Sequence, residues 1–431
     1  MNDLIKIVKG KSEEGINYLN SLKERAEGIE SDVSKTVFEI LKDIKKNGDS
    51  AVLKYTQTFD SEKVSSLIVT REEIQNAYNN IDSEFVEALK TAKENIMDFH
   101  EQQKERSWIT TKKDGVVMGQ TVRGLQRVGI YVPGGTAAYP SSVLMNAIPA
   151  KVAGVDKIVM VTPPRTDGTI SESILVAAHI AGVDEIYKVG GAQAVAALAY
   201  GTETIEKVDK IVGPGNIFVA TAKRSVFGLV DIDMIAGPSE ILIISDESGD
   251  AKFIAADLMS QAEHDKLASS ILVTTSKELA VKVQAELKLQ IEALSRKEII
   301  EASLRDFGLI ILVDTISEAI EMGNKIAPEH LELIVNNPFE YLGEIKNAGS
   351  IFMGSYSPEP LGDYMAGPNH VLPTSGSARF FSPLSVDDFI KKSSYIYYSE
   401  KALYDVKDKI VKLADTEGLT AHANSIKVRF K

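Results

Sequence analysis

The chain contains no cysteine. That excludes disulfides, thiolate metal ligands and a catalytic thiol. If such a chain oxidises an aldehyde, it has no cysteine on which to form a thiohemiacetal, and a hydrated aldehyde or another nucleophile must serve. Long apolar runs are also missing. The longest, such as Gly308–Val313 and Ala194–Tyr200, are far too short to cross a bilayer, so no membrane partner is expected. The N-terminus, MNDLIKIVKGKSEEG, has no apolar core followed by a small-residue cleavage site. No signal peptide is expected there, and the cytoplasm is the expected location. Dense Lys/Arg runs are absent, and 61 acidic against 48 basic residues leave a formal charge of -13. That balance repels a phosphate backbone, so nucleic acid is not the expected partner.

What is present is globular: 44% hydrophobic and 25% charged residues over 431 positions, too long for one ordinary core. The first hundred residues read as helix, with apolar positions at three- and four-residue spacing in Val33–Lys46 and Glu84–His100. From Arg127 the pattern becomes β-α-β-α. Strands are expected at Val128–Val132, Lys157–Val161, Glu185–Val189 and Lys210–Val212. Helices are expected at Ser142–Ala153, Glu172–Ala181, Ala192–Tyr200 and from about Ile217. A second set follows, with strands at Ile241–Ile244, Ser270–Val273, Leu309–Val313, Leu331–Val335 and Ile351–Met353. Helices at Ala251–Glu263, Lys277–Leu294 and Ile316–Ile326 lie between them, the last opened by a Thr315/Glu318 capping box. Such alternation predicts α/β architecture with parallel sheets covered on both faces. The last fifty residues break it: Val386–Ala414 reads as helix-rich and Ile426–Phe430 as a short strand.

Three glycine turns follow strands and precede helices: Val132-Pro133-Gly134-Gly135, Gly190-Gly191-Ala192-Gln193 and Gly213-Pro214-Gly215-Asn216. Glycine lets backbone approach a ligand closely, and a helix N-terminus offers free N–H groups to an anion. None is the G-x-G-x-x-G fingerprint, so phosphate binding and ordinary strand-to-helix turns both remain open. Six histidines occur, at 100, 179, 264, 330, 370 and 422. Gln261 and His264 share a helix face, Asp363 follows a Pro358–Gly362 segment without helical period, and Glu417 and His422 frame Gly418-Leu419. Imidazole and oxygen donors without sulfur suit zinc, manganese or a similar divalent ion, whereas each histidine taken alone is more often a surface or core residue. Ala327-Pro328-Glu329-His330 places a carboxyl and an imidazole on a turn, where they can run acid–base chemistry or simply face water.

Taken in order, GIYVPGGTAAYPSSVLMNAIPAKVAGV, GGAQAVAALAYGTETI, DKIVGPGNIFVATAKR, IAGPSEILI, DLMSQAEHD, APEHLEL, LGDYMAGPNHVLPT and EGLTAHANSI resemble the histidinol dehydrogenase family, from Gly129 to Ile426. The resemblance implies two doubly wound, incomplete Rossmann-like parallel-sheet domains with a helical N-terminal region and a C-terminal arm. The implied units are 1–25 as a helical arm, 26–128 with 238–380 as the first α/β domain, 129–237 as the second, NAD-side domain, and 381–431 as an arm that crosses to the partner of a homodimer. It implies NAD-dependent oxidation of L-histidinol through L-histidinaldehyde to L-histidine, the last steps of histidine biosynthesis. Zinc, exchangeable for manganese or cobalt, would be held by Gln261, His264, Asp363 and His422. Tyr131, Gln193 and Asn216 would contact NAD. Ser239 and Glu417 would hold the substrate, with His370 in the same pocket and the metal-side residues and His330 touching it too. His330 would be the base, and Glu329 would activate the hydrating water. Glu417 and His422 would complete the partner's site. Three alternatives stay open: a dehydrogenase for another amino alcohol, a metal-dependent hydrolase or lyase, and a non-catalytic binding module.

Overall fold

A computed structural model describes residues 4–15, 17–18, 31–134, 138–235 and 237–430. Gly135 of the first glycine turn, and most of the 1–25 arm beyond residue 15, lie outside them. In chain order the strands are β1 (Lys6–Lys9), β2 (Trp108–Lys113), β3 (Val116–Gly124), β4 (Arg127–Tyr131), β5 (Lys157–Thr162), β6 (Glu185–Lys188), β7 (Lys210–Val212), β8 (Asp231–Ile232), β9 (Glu240–Ser245), β10 (Ser269–Thr274), β11 (Gly308–Leu312), β12 (His330–Ile334), β13 (Ser350–Met353) and β14 (Ile390–Tyr398).

Two parallel sheets carry the α/β architecture. One runs β6-β5-β4-β7-β8, the other β1-β11-β10-β9-β12-β13. Their central strands are buried on both faces, as in the all-buried RVGIY of β4 and EILIIS of β9. This is why these segments read as unbroken apolar runs rather than alternating ones. The chain leaves β4 towards β5 and β6, then returns to β7 on β4's other side. The turns after β4 and β7 therefore flank a reversal of strand order, the place where open α/β sheets bind ligands.

Several expectations are corrected. The 1–25 arm contains β1, which pairs with β11 in parallel, so it is not wholly helical. The helical part of 26–128 packs mainly round the five-stranded sheet rather than on the six-stranded one, and it meets 238–380 in the 365–371 stretch. Helix Ser31–Phe59 lies on helices Gly191–Tyr200 and Ile217–Val226, and helix Ser83–Glu101 on Pro140–Val152, all around the five-stranded sheet. Val37, Ile40, Leu41 and Ile44 share a core there with Val159 and Ile211. The 390–398 part of the helix-rich expectation is β14, which pairs antiparallel with β3 along its whole length, Tyr395 opposite Gly119. With β2 it makes a third sheet that the local pattern had not disclosed. Residues 426–430 are not a strand: helix Thr420–Lys427 runs into a 3-10 turn, Val428–Phe430. Thr315 accepts the Glu318 N–H, but the Glu318 carboxylate reaches the Asp314 N–H instead of completing the box at Thr315.

Candidate active site

The acid–base candidates sit where helix Ile316–Ile326 ends. Ala327 closes that helix in the left-handed region, φ 54, and Pro328 prevents its continuation. Glu329 follows, and His330 opens β12 rather than lying before it. Both are buried. The amide of Glu240, first residue of the neighbouring β9, donates to Glu329 Oε2 at 2.9 Å. His330 Nδ1 lies 3.0 Å from the Glu240 carbonyl oxygen. An N–H must stand at Nδ1 to fill that contact, which leaves Nε2 as the proton acceptor. Burial pushes the imidazole down to about 4, against the pull of Asp363. Burial likewise holds the Glu329 carboxyl well above the usual carboxylate range. The two side chains are 3.7 Å apart, Nδ1 to Oε2.

His330 faces a cavity of about 230 Å³, lined also by Phe352, Asp363, Asn369 and His370. Asp363 Oδ1 is 3.4 Å from His370 Nδ1, and His370 Nε2 is 3.4 Å from Ser142 Oγ. Burial works against the Asp363 carboxylate, but the hydrogen bond and charge of His370, with His330 and His264 nearby, bring it down to about 2. Asp363 does not stand in an irregular stretch as expected. Pro358 ends the preceding loop and helix Glu359–Tyr364 presents Glu359 and Asp363 one turn apart.

Ligand atoms of His264, Glu359 and Asp363 all lie within 4.8 Å of one another. Gln261, in the last turn of helix Ala251–Ala262, is fully buried, and among the described residues neither amide atom has a hydrogen-bond partner. An orphaned amide in a protein interior is costly unless something absent from the chain satisfies it. This donor set of amide oxygen, imidazole and carboxylate fits a divalent cation. Glu359 was missed by the sequence reading. It is buried, and burial beside Asp363 raises its carboxyl to about 9, so it carries a proton and can hydrogen-bond Asp363. Its only local signal is its place between two prolines.

Glu417 and His422 do not join this group. Both are exposed, Glu417 after helix Lys407–Thr416 and His422 on helix Thr420–Lys427. Ser239 is half-buried just before β9, next to Glu240.

The three cofactor-side residues meet the five-stranded sheet's glycine turns. The Tyr131 hydroxyl accepts the Gly191 N–H at 3.0 Å. Buried Gln193 Nε2 lies 3.4 Å from Asp60 Oδ2. Asp60 is unmarked in the sequence, and burial raises its carboxyl to about 6. Asn216 caps helix Ile217–Val226 by accepting from Phe218 and Val219. Gly213 has φ +107, and a Cβ there would stand 2.2 Å from the Tyr131 carbonyl oxygen, so the turn requires glycine. The six-stranded sheet departs from the carboxyl-end rule: Glu240 and His330 are the first residues of β9 and β12, so its part of the site lies at the amino ends.

A family model described as histidinol dehydrogenase matches residues 23–430. The chain is 70% identical over 431 residues to histidinol dehydrogenase of Clostridium acetobutylicum, covering all of both chains. It is 58% identical over 409 residues to histidinol dehydrogenase of Bacillus subtilis, covering 95% of this chain and 96% of that one. The crystal structure of histidinol dehydrogenase from Elizabethkingia anophelis superposes with a TM-score of 0.93 at 38% identity, covering 100% of this chain and 98% of that one.

Proposed function

The chain belongs to the histidinol dehydrogenase family, and from that premise we propose how its residues share the work. It is an NAD-dependent oxidoreductase of histidine biosynthesis that oxidises L-histidinol through L-histidinaldehyde to L-histidine. The hydrolase and binding-module readings fall with that assignment.

Gln261, His264 and Asp363 hold a divalent cation, zinc in the first place, with manganese or cobalt as substitutes. When bound, the metal supplies a fixed anchor for the amino and imidazole nitrogens of the substrate. His370 orients Asp363 from the other side of the cavity. His330 Nε2 takes the hydroxyl proton as hydride leaves the carbinol carbon for NAD. Glu329 then draws a proton from the water that adds to the aldehyde, and His330 takes the hydrate's hydroxyl proton as the second hydride leaves. The first oxidation thus releases one NADH and one proton; the second, once His330 has shed that proton, releases one NADH and two protons, one from the added water and one from the hydrate, and leaves the histidine carboxylate. No cysteine is needed, and none is present. Tyr131, Gln193 and Asn216 contact NAD, and Ser239 holds the substrate.

We propose further that Glu417 and His422 serve the partner's site in a homodimer. Their exposure on the C-terminal helices supports this. So do the apolar side chains exposed on both faces of the third sheet, Trp108 and Ile396 on one and Ile109 and Tyr397 on the other. Among the described residues no helix is long and apolar enough to cross a membrane, and a cytoplasmic location fits the pathway.

The carrying observation is the pair of features at one helix end: the orphaned Gln261 amide, and three residues on, His264 gathered with Glu359 and Asp363. The test is NADH formation from L-histidinol and NAD, counted against histidine produced, with and without a chelator. Two NADH per histidine, lost on chelation and restored by zinc or manganese, is the expected result. No NADH from metal-replete, folded protein would overturn the substrate reading, and a panel of other amino alcohols would follow.

A further inference from the structure

Glu332 is 1% exposed, in the middle of β12, with no role in the chemistry described above. It stands two residues after His330, so the two side chains leave the strand on the same face. Glu332 Oε1 accepts the N–H of Glu359 at 2.8 Å. Glu359 is the first residue of the helix that carries Asp363. The Glu332 carboxyl also stands beside that of Asp257, on helix Ala251–Ala262 one turn before Gln261. Two carboxyls side by side out of water repel unless one of them keeps its proton, and burial favours keeping it. Burial raises Asp257 to about 6 and Glu332 well above the usual range. Ser260, next to Gln261, adds a second tie, its Oγ 3.3 Å from Glu359 Oε2.

One buried side chain therefore touches all three elements that bear the site's donors: the strand of His330, the helix of Gln261 and the short helix of Asp363. The last is only six residues long and begins with a loop, so little else in its own geometry fixes it. A buried acid with no external partner is costly, and hydrophobic packing would fill the same space at lower cost.

We propose that Glu332, acting with Asp257, is a positioning residue that sets the spacing of Gln261, Asp363 and His330 for metal and substrate. The proposal rests on the metal-site reading given above. Glu332→Leu fills the volume but cuts both ties. Glu332→Gln keeps an oxygen for the Glu359 amide and an NH₂ for Asp257.

The experiment is zinc affinity of the metal-free full-length enzyme, measured by competition with a chromophoric chelator, for wild type, both Glu332 variants and Asp363→Ala. Outer-shell losses of this kind weaken metal binding about 10- to 100-fold. That loss is expected for Glu332→Leu, with most of it recovered in Glu332→Gln. At saturating zinc, the KM for L-histidinol should rise in Glu332→Leu while the KM for NAD stays put, because the NAD residues sit on the other sheet. A general loss of structure would move both. If Asp363→Ala loses zinc while folded Glu332→Leu keeps wild-type affinity, the positioning role is overturned. If Asp363→Ala itself binds zinc as tightly as wild type, the metal-site reading is overturned instead. Should Glu332→Leu fail to fold, Asp257→Val, which cuts only the tie to the Gln261 helix, carries the test, and unchanged affinity there overturns the proposal.

Discussion

The glycine turn after β7 is held by a buried ion pair, and breaking that pair has a calculable cost. Lys223 and Asp233 have side chains 3% and 1% exposed and are in direct contact. Lys223 Nζ also donates to the Gly213 carbonyl at 2.9 Å, while Asp233 accepts the N–H of Gly213 at 2.7 Å and of Met234 at 2.6 Å. Both polar groups of Gly213 are thus fastened to the pair. Lys223→Met removes the charge at similar length and leaves Asp233 buried and uncompensated, a change that costs about 3–5 kcal/mol. Asp233→Asn strands Lys223 at a comparable cost. The double variant buries no charge, so its loss should fall roughly 3 kcal/mol short of the sum of the singles. Chemical denaturation monitored by circular dichroism measures this cycle. In a thermal melt, 3–5 kcal/mol corresponds to roughly 6–20 °C for a domain of this kind. The KM for NAD should rise in Lys223→Met, because the turn between β7 and the Asn216-capped helix loses its fastening. A Lys223→Met loss below about 1 kcal/mol, or strict additivity in the double variant, would refute the reasoning.

Gly213→Ala should raise the KM for NAD and lower stability even with the ion pair intact, since its Cβ meets backbone that cannot rotate away; wild-type KM and melting point would show that the turn relaxes freely. His330→Asn should lower kcat about 10²- to 10⁴-fold. A base at about 4 is protonated and inactive only below that pH, so the wild-type acid limb of kcat/KM owed to His330 should lie near pH 4 rather than about 6.5. A limb at 6 to 7 that vanishes in His330→Asn would contradict the burial argument. Chains carrying Glu329→Ala with His330→Ala, mixed with His422→Ala chains, should regain partial activity in heterodimers. No recovery in confirmed heterodimers would sink the shared site.

Where strands are buried on both faces and bounded by glycine or proline, the sequence located them well: β7, helix Glu172–Ala181 and helix Ile316–Ile326 stand at the expected residues. Apolar content and turn residues are both local signals there. The third sheet was not legible, because what makes Ile390–Tyr398 a strand is a partner some 270 residues earlier. The placement of helix Ser31–Phe59 on the five-stranded sheet's helices is equally non-local. Of the site, the long glycine and histidine stretches drew attention to Gln261, His264, His330 and Asp363, and three of these four come together with no help from the partner chain. The supporting acids were invisible. Glu332 looks like one polar position in an apolar strand, Glu359 is flanked by prolines that argue against helix, and Asp60 ends a helix far from the turn it meets. Their significance is burial and proximity, and neither has a local pattern.

The two halves of the reaction lie on different sheets, and the segment after Asp363 is what brings them together. In the proposed assignment the carboxyl ends of β4 and β7 carry the cofactor side, and the amino ends of β9 and β12 carry the acid–base side. Hydride transfer needs its atoms within about 3–3.5 Å, so the relative placement of the halves cannot be left loose. Asn369 Nδ2 donates to the Met145 carbonyl at 2.6 Å, and His370 reaches Ser142, both on the helix that follows the first glycine turn. Asn95 Nδ2 donates to the Met365 carbonyl at 2.8 Å, and Gly367, φ +107, lies so close to the Asn95 carbonyl that a Cβ would stand 2.6 Å from it. The same stretch that lines the substrate cavity is therefore bolted to the cofactor half on both sides. Substrate held by residues 363–370 is held, by construction, at a fixed offset from the glycine turns. On the proposed site assignment, a fixed offset of this kind would serve both hydride transfers from one cavity.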